Sequence, residues 1–323
     1  MVMNVMNNDQ ATPLRPIPLV NIKGGISGSL HPWGSRKPTK AAGEDVAVLM
    51  SGGIGDYLHY IARFDSLLKS SGIDPRRIVV FVESTVPHDV MSLFATALPE
   101  VPVRFTPGQI QWTRAHPLLD VLSTHDRMNR PAYHYVKALG FRQIIDWFLP
   151  FCCDACEPSP RRLHWLLGES PSVDAPASIV VSLRDKGFLW WPSREICLHL
   201  RDIGRSLGLP VRFLGTAVEK PAWLPEMFTA PNALEALRIA ASARLLIATD
   251  TGLTTVRELM HRPSVYCINR YWHHDVMMRY GYLSDRMLEL SGSVVAYDAE
   301  ACLKAVDRLV ARMLPCPGKR TGA

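Results

Sequence analysis

Long apolar runs are missing from this 323-residue sequence. Nothing approaches the roughly 18–20 consecutive apolar residues that a bilayer-crossing helix takes. The opening MVMNVMNNDQ lacks the basic-then-apolar order of a secretory signal, so a cytoplasmic location is expected. A strong charge of one sign is missing too. The net charge is +6, but residues 1–44 hold five Lys/Arg against two acids, and residues 315–323 hold two against none. The body between them is therefore nearly neutral. That distribution argues against a nucleic-acid groove, and fits at most a weak peripheral attraction of the tails to the inner face of a membrane.

Cysteine is scarce and odd in number. Seven in a chain of this length do not read as a disulfide framework. Cys197 and Cys302 fall within apolar helical patterns and read as buried thiols. The stretch FCCDACEP places Cys152 beside Cys153-x-x-Cys156, half of a zinc ribbon. No second C-x-x-C completes it, so a metal site would need His134, His164 or another distant ligand. No Asp-x-Asp occurs to bridge a metal to a diphosphate, and no metal cofactor is expected. G-x-G-x-x-G, a P-loop and any solenoid repeat are also absent.

What is present is ordinary globular composition, 47% apolar and 20% charged, which excludes global disorder. The length suits two domains of roughly 120–150 residues. Residues 1–44 are rich in Pro, Gly and basic residues and read as a disordered arm. From there strand-like and helix-like runs alternate. Strands are expected at 46–50, 77–83 and 101–106, with a helix of near-3.6 period after the first and another opening at Pro87. Helical pieces are expected around 132–140 and 142–149. Residues 168–178 have linker composition. A second series follows, with strands at 178–183, 210–215, 244–249 and 264–269. Its helices are expected from Pro192 or Ser193, over 232–243, over 251–261 and over 299–314. The pattern predicts two Rossmann-like doubly wound domains facing a central cleft, 45–170 and 171–314, then a flexible tail 315–323.

Ligands in such folds bind beyond the carboxyl ends of the strands, and three strand exits are unusual. In VLMSGGIGDYLHY (48–60) a strand leaves through glycines, Gly53 and Gly55 among them, which let backbone N–H groups approach an anion. Asp56 then stands where a helix begins. It is either a first-turn capping acid or a catalytic carboxylate. In SLRDKGFLWWP (182–192) Arg184 and Lys186 could neutralise a diphosphate, or form a solvated turn. In LLIATDTGLTTVREL (245–259) a buried strand runs into Asp250, Thr251 and Gly252, with Thr254 close behind. Small hydroxyl residues at a helix start hold phosphate well, although Thr255 with Glu258 could also be a simple capping box. The aromatic stretch RYWHHDVMMRYGY (270–282) reads as a packed lid or edge rather than a His273-His274 metal site.

These stretches together resemble the lipopolysaccharide heptosyltransferases, the ADP-heptose-using glycosyltransferase family nine of GT-B fold. GDYLH (55–59) is similar to the family's G-D-x-L-H, whose aspartate is the catalytic base, implying that role for Asp56. Trp191-Pro192 and the run RFLGTAVEK resemble the donor-domain segment whose glutamate lies near the nucleotide ribose, implying Glu219. Residues 250–255 resemble the D-T-G-x-x-H segment that cradles the donor diphosphate, with Thr255 in place of the histidine. The family's lysine two residues before Trp-Pro is Leu189 here, and the nearest lysine is Lys186. The resemblance implies an inverting, metal-independent transferase using a nucleotide sugar and a saccharide, glycolipid or protein acceptor. The alternatives are a nucleotide-sugar epimerase of the same fold and an inactive nucleotide-sugar-binding scaffold.

Overall fold

The computed structural model describes residues 45–84, 87–106, 131–147, 157–167, 178–184, 191, 193–215, 222–224, 227–278 and 283–313. The expected arm 1–44 and tail 315–323 lie outside them. The first half begins with β1 (Val46–Gly52), α1 (Ile54–Ser71), β2 (Ile78–Ser84), α2 (Pro87–Ala97) and β3 (Val103–Phe105). It continues with α3 (Pro131–Ala138), β4 (Gln143–Trp147) and a 3-10 segment, Pro160–Leu167. The second half contains β5 (Ile179–Ser182), α4 (Arg194–Leu207), β6 (Val211–Leu214), α5 (Ala233–Ser242) and β7 (Leu245–Ala248). It ends with α6 (Gly252–Leu259), β8 (Ser264–Cys267), a π-helix (Trp272–Met278), α7 (Asp285–Ser291), β9 (Val294–Ala296) and α8 (Ala299–Met313).

Two wholly parallel sheets result, ordered β3-β2-β1-β4 and β6-β5-β7-β8-β9. Parallel strands need covering on both faces, which is why VAVLMSG and IVVFVES are buried along their whole length. One correction concerns 142–149. Gln143–Trp147 is not helical but an edge strand, paired with β1 from Val46↔Gln143 to Met50↔Trp147. Five residues with an Ile-Ile pair carry no decisive period, and pairing with β1 settles the matter. The short α7 and β9 were not expected at all.

The two sheets share one apolar layer. Val46, Val48 and Met50 of β1 and Leu246 and Ala248 of β7 belong to the same cluster. Between them lie Tyr57, Ile61 and Phe64 of α1, Leu93 and Phe94 of α2, Leu163, Ala240 of α5, and Val256 and Leu259 of α6. On the outer faces, Ala47, Leu49 and Phe81 pack on α3, while Val181, Ile247 and Val265 pack on α4 and α8. Cys197, Cys267 and Cys302 are buried free thiols in that last cluster, as expected for the first and last.

Two adjacent ionisable side chains tie α6 into this layer. The Arg257 guanidinium is wholly buried and donates to Ala243 O and Pro263 O, both at 2.6 Å, and to Ala241 O at 3.3 Å. It thereby serves the carbonyls at the end of α5 that the helix itself cannot satisfy. Burial lowers Arg257 to about 9, still protonated at neutral pH. Glu258, also buried, accepts from Ser291 Oγ at 2.9 Å, and burial raises its carboxyl to about 7 against hydrogen bonds from Ser293 and Ser291.

A carboxyl raised on folding favours the folded state least when ionised. Stability is therefore lost as pH rises from the ordinary value of 4.5 through about 7. That interval corresponds to about 3 kcal/mol. Glu258→Gln is expected to leave stability almost unchanged at pH 5 and to raise it by up to about 3 kcal/mol at pH 8, measured by urea denaturation at both values. An equal effect at the two pH values would contradict the assignment.

Candidate active site

β1 ends at Gly52, and Gly53 caps α1 with extended backbone (φ −92°, ψ −176°). Glycine has no side chain to offer, so the capping bond comes from three residues on. Gly53 N–H donates to Asp56 Oδ2 at 2.6 Å. The half-buried Asp56 carboxylate is thus oriented by the helix it opens. Gly52 makes this possible. Its φ is +143°, and a Cβ there would lie 2.4 Å from Asp56 Oδ2. The strand end beneath is tied down in turn. Tyr57 Oη donates to Met50 O and Glu83 O, both at 3.0 Å, and Ser84 Oγ donates to Gly52 O at 2.9 Å.

The exit from β7 is built from hydroxyls. Thr249 Oγ1 donates to Arg184 O at 2.9 Å, joining the carboxyl ends of β7 and β5 and leaving the Arg184 side chain exposed. Thr251 is the cap of α6, its Oγ1 accepting from Leu253 N–H at 3.3 Å. Thr254 is fully buried; its Oγ1 accepts from Thr251 N–H at 3.0 Å and reaches Thr251 O at 2.8 Å. Its hydroxyl shapes the loop from inside and faces no solvent. The box that sequence placed at Thr255 and Glu258 is instead Thr251 with Thr254, because the helix starts earlier. Asp250 accepts from Trp272 Nε1 at 2.7 Å.

The two exits meet. A Cβ on Gly55 would lie 3.1 Å from Thr255 Oγ1 and 3.7 Å from Gly252 Cα, and one on Gly252 would lie 3.0 Å from Ile54 Cγ2. The amino ends of α1 and α6, one from each half, are packed against each other, with Ile54 and Thr255 seated against the bare faces of Gly252 and Gly55. Of the expected site residues, the structure thus brings Gly55 and Gly252 together, with Gly53 and Asp56 beside the first and Asp250 and Thr251 beside the second in the chain, and Arg184 joined to the β7 exit through Thr249. Lys186 and Glu219 lie outside the described residues, as do Cys152, Cys153 and Cys156. A cavity lined by Arg201, Gly204, Leu209, Val211 and Phe213 sits where β6 begins, at the other end of the second sheet.

Sequence reasoning passed over a polar stripe along α1. His59 and Arg63 follow Asp56 at helical spacing and are buried, with Arg63 Nη1 donating to His59 Nδ1 at 2.9 Å. Burial, and then the Arg63 guanidinium, hold His59 well below its ordinary value, so the ring is neutral. The signal was present in GDYLHYIAR, where three polar residues recur at i, i+3 and i+7 on an apolar helix.

Two parallel, doubly wound sheets meeting at the carboxyl ends of their central strands define the GT-B architecture. Solved glycosyltransferases share it. The chain superposes on the glycosyl transferase family 9 structure from Veillonella parvula with a TM-score of 0.55 and 11% identity, over 83% of this chain and 98% of that one. It matches the E. coli heptosyltransferase WaaC with ADP-2-deoxy-2-fluoro heptose at a TM-score of 0.54 and 12% identity, over 84% and 100%. The E. coli ADP-heptose lps heptosyltransferase II gives 0.51 and 12%, over 83% and 99%. No protein-family model and no curated protein sequence matches the chain.

The glycine geometry separates two neighbouring substitutions. Gly52→Ala places a methyl on the Asp56 carboxylate at a left-handed φ and is expected to destabilise by about 1–3 kcal/mol or more. Gly53→Ala meets Asp56 Oδ2 only at an ordinary 3.7 Å, and is expected to cost no more than the few tenths to about 1 kcal/mol by which alanine is a poorer cap than glycine. Chemical denaturation of the two variants side by side checks this; equal costs would contradict the folded-over carboxylate.

Proposed function

We propose that the chain is a glycosyltransferase that moves a sugar, heptose first among the candidates, from a nucleoside-diphosphate donor to a hydroxyl acceptor, with inversion and without a metal cofactor. The observation that carries this reading is the contact of the two helix starts. It supports the reading because the helix start that carries Asp56 packs against the one that follows the Asp250–Thr251 loop, at the carboxyl ends of strands where ligands bind in such folds. The heptosyltransferase WaaC, of the same architecture, was solved with ADP-2-deoxy-2-fluoro heptose.

In this mechanism the acceptor hydroxyl gives its proton to the Asp56 carboxylate as its oxygen attacks the anomeric carbon. The bond from that carbon to the diphosphate breaks on the opposite face, through an oxocarbenium-like state, and configuration inverts. The charge that develops on the diphosphate falls to the N–H groups at the start of α6 and to Arg184, with Lys186 as a further cation and Glu219 toward the ribose. Thr251 and Thr254 hold those N–H groups in place beforehand. The acceptor is a saccharide, a glycolipid or a protein hydroxyl, met in the cytoplasm or at the membrane face.

A screen of nucleotide sugars for thermal stabilisation identifies the donor, since a ligand of the folded state raises Tm by mass action. With that donor, Asp56→Asn is expected to lower transfer by about 10²–10⁴-fold while donor affinity stays within about twofold. Near-wild-type turnover in that variant overturns the base assignment. Conversion of the donor without any acceptor would identify an epimerase instead, and donor binding without turnover in the wild type would identify a binding scaffold.

A further inference from the structure

Asp250 stands at the mouth of a loop suited to phosphate, yet a carboxylate is a poor neighbour for one. Two unit negative charges 4 Å apart repel by about 1 kcal/mol in water and by more where water is displaced. The geometry gives Asp250 another task. Its Oδ2 receives the indole N–H of Trp272 at 2.7 Å, and Trp272 is the first residue of the π-helix Trp272–Met278. Asn269, just past β8, starts that turn: its Oδ1 accepts from Trp272 N–H at 2.7 Å and its carbonyl from His273 N–H at 3.1 Å.

The next side chain along is anchored as well. His273 is buried, and its Nδ1 shares a hydrogen bond of 2.6 Å with the hydroxyl of Tyr297, which follows β9. The Arg270 guanidinium lies 5.3 Å from the centroid of the Tyr297 ring. The segment 270–278 therefore crosses the carboxyl ends of β7, β8 and β9, held to the first by an indole and to the last by an imidazole. π-Helices are rare and concentrate at functional sites. Seven residues have no helical stability of their own, so tertiary contacts hold the segment: these anchors, and the packing of Trp272 and Met277 with Tyr266 and Ile268.

We propose that Asp250 is a positioning residue that acts through Trp272, fixing the segment 270–278 as a wall of the donor side, and does not itself contact the diphosphate. The proposal rests on the donor-site reading above. What matters at position 250 is then a hydrogen-bond acceptor for the indole, not a negative charge.

Four variants test this: Asp250→Ala, Asp250→Asn, Trp272→Phe and the double variant Asp250→Ala/Trp272→Phe. Two readouts apply: hydrogen–deuterium exchange over residues 268–278, and steady-state kinetics with the donor found by the screen. Asp250→Ala and Trp272→Phe are each expected to speed exchange in the segment by about tenfold and to raise the donor KM about tenfold, with kcat changed far less. Asp250→Asn keeps an acceptor oxygen and is expected to stay within about threefold of wild type, and the double variant to be no worse than either single. Asp250→Asn failing as badly as Asp250→Ala overturns the proposal, because the charge itself would then be needed. So does Trp272→Phe leaving exchange unchanged. If no nucleotide sugar is turned over, the exchange measurement still decides the anchor, so its failure is distinguishable from failure of the transferase reading.

Discussion

Everything at the candidate site depends on how closely two helix starts can approach. The amino end of α1 belongs to the first half and that of α6 to the second, and glycine at 55 and 252 leaves room for this close approach, where a Cβ would force its neighbours to shift. Position 255 takes part in the same constraint. Thr255 Oγ1 donates to Thr251 O at 3.2 Å and lies against the open side of Gly55. Threonine at 255 and glycine at 55 are thus two sides of one packing requirement. Its effect is to bring two positive helix ends into one small volume, a setting that favours negative charge.

The polar groups around this contact are arranged in depth. Asp56, Thr251 and Thr254 satisfy the backbone of the two helix starts. Beneath α6, Arg257 serves the end of α5, and Glu258 answers Ser291 and Ser293 near the start of β9. Buried charges are tolerated when hydrogen bonds surround them, and here they transmit position. The loop at 249–255 inherits its orientation from α5 on one side and from the α7–β9 turn on the other.

Much of the architecture could be read from sequence, because parallel strands buried on both faces are continuous apolar runs and helices announce themselves by period and cap. Ser193 and Asn232 cap α4 and α5 at or beside the expected starts. What could not be read depended on partners far along the chain. Gln143–Trp147 is a strand because β1 lies beside it. His59 and Arg63 look solvent-facing on a helical wheel and are buried because α1 is covered on more than one side. Asp250 was legible as a site residue, but its indole partner lies 22 positions away in a segment with no regular period. Thr254 was legible as a hydroxyl in the right loop; its inward direction follows only from the cap geometry.

The shared helix layer also governs how the molecule comes apart. Val48 and Tyr57 on one side and Ala240, Leu246 and Val256 on the other are wholly buried within a single cluster. Neither sheet has a complete core without the helices of the other. Cutting the chain between β4 and β5 would leave two fragments, each with a raw oily face and a strong tendency to clump. The intact chain should therefore melt in one cooperative step, and a ribosome must finish both halves before either is safe.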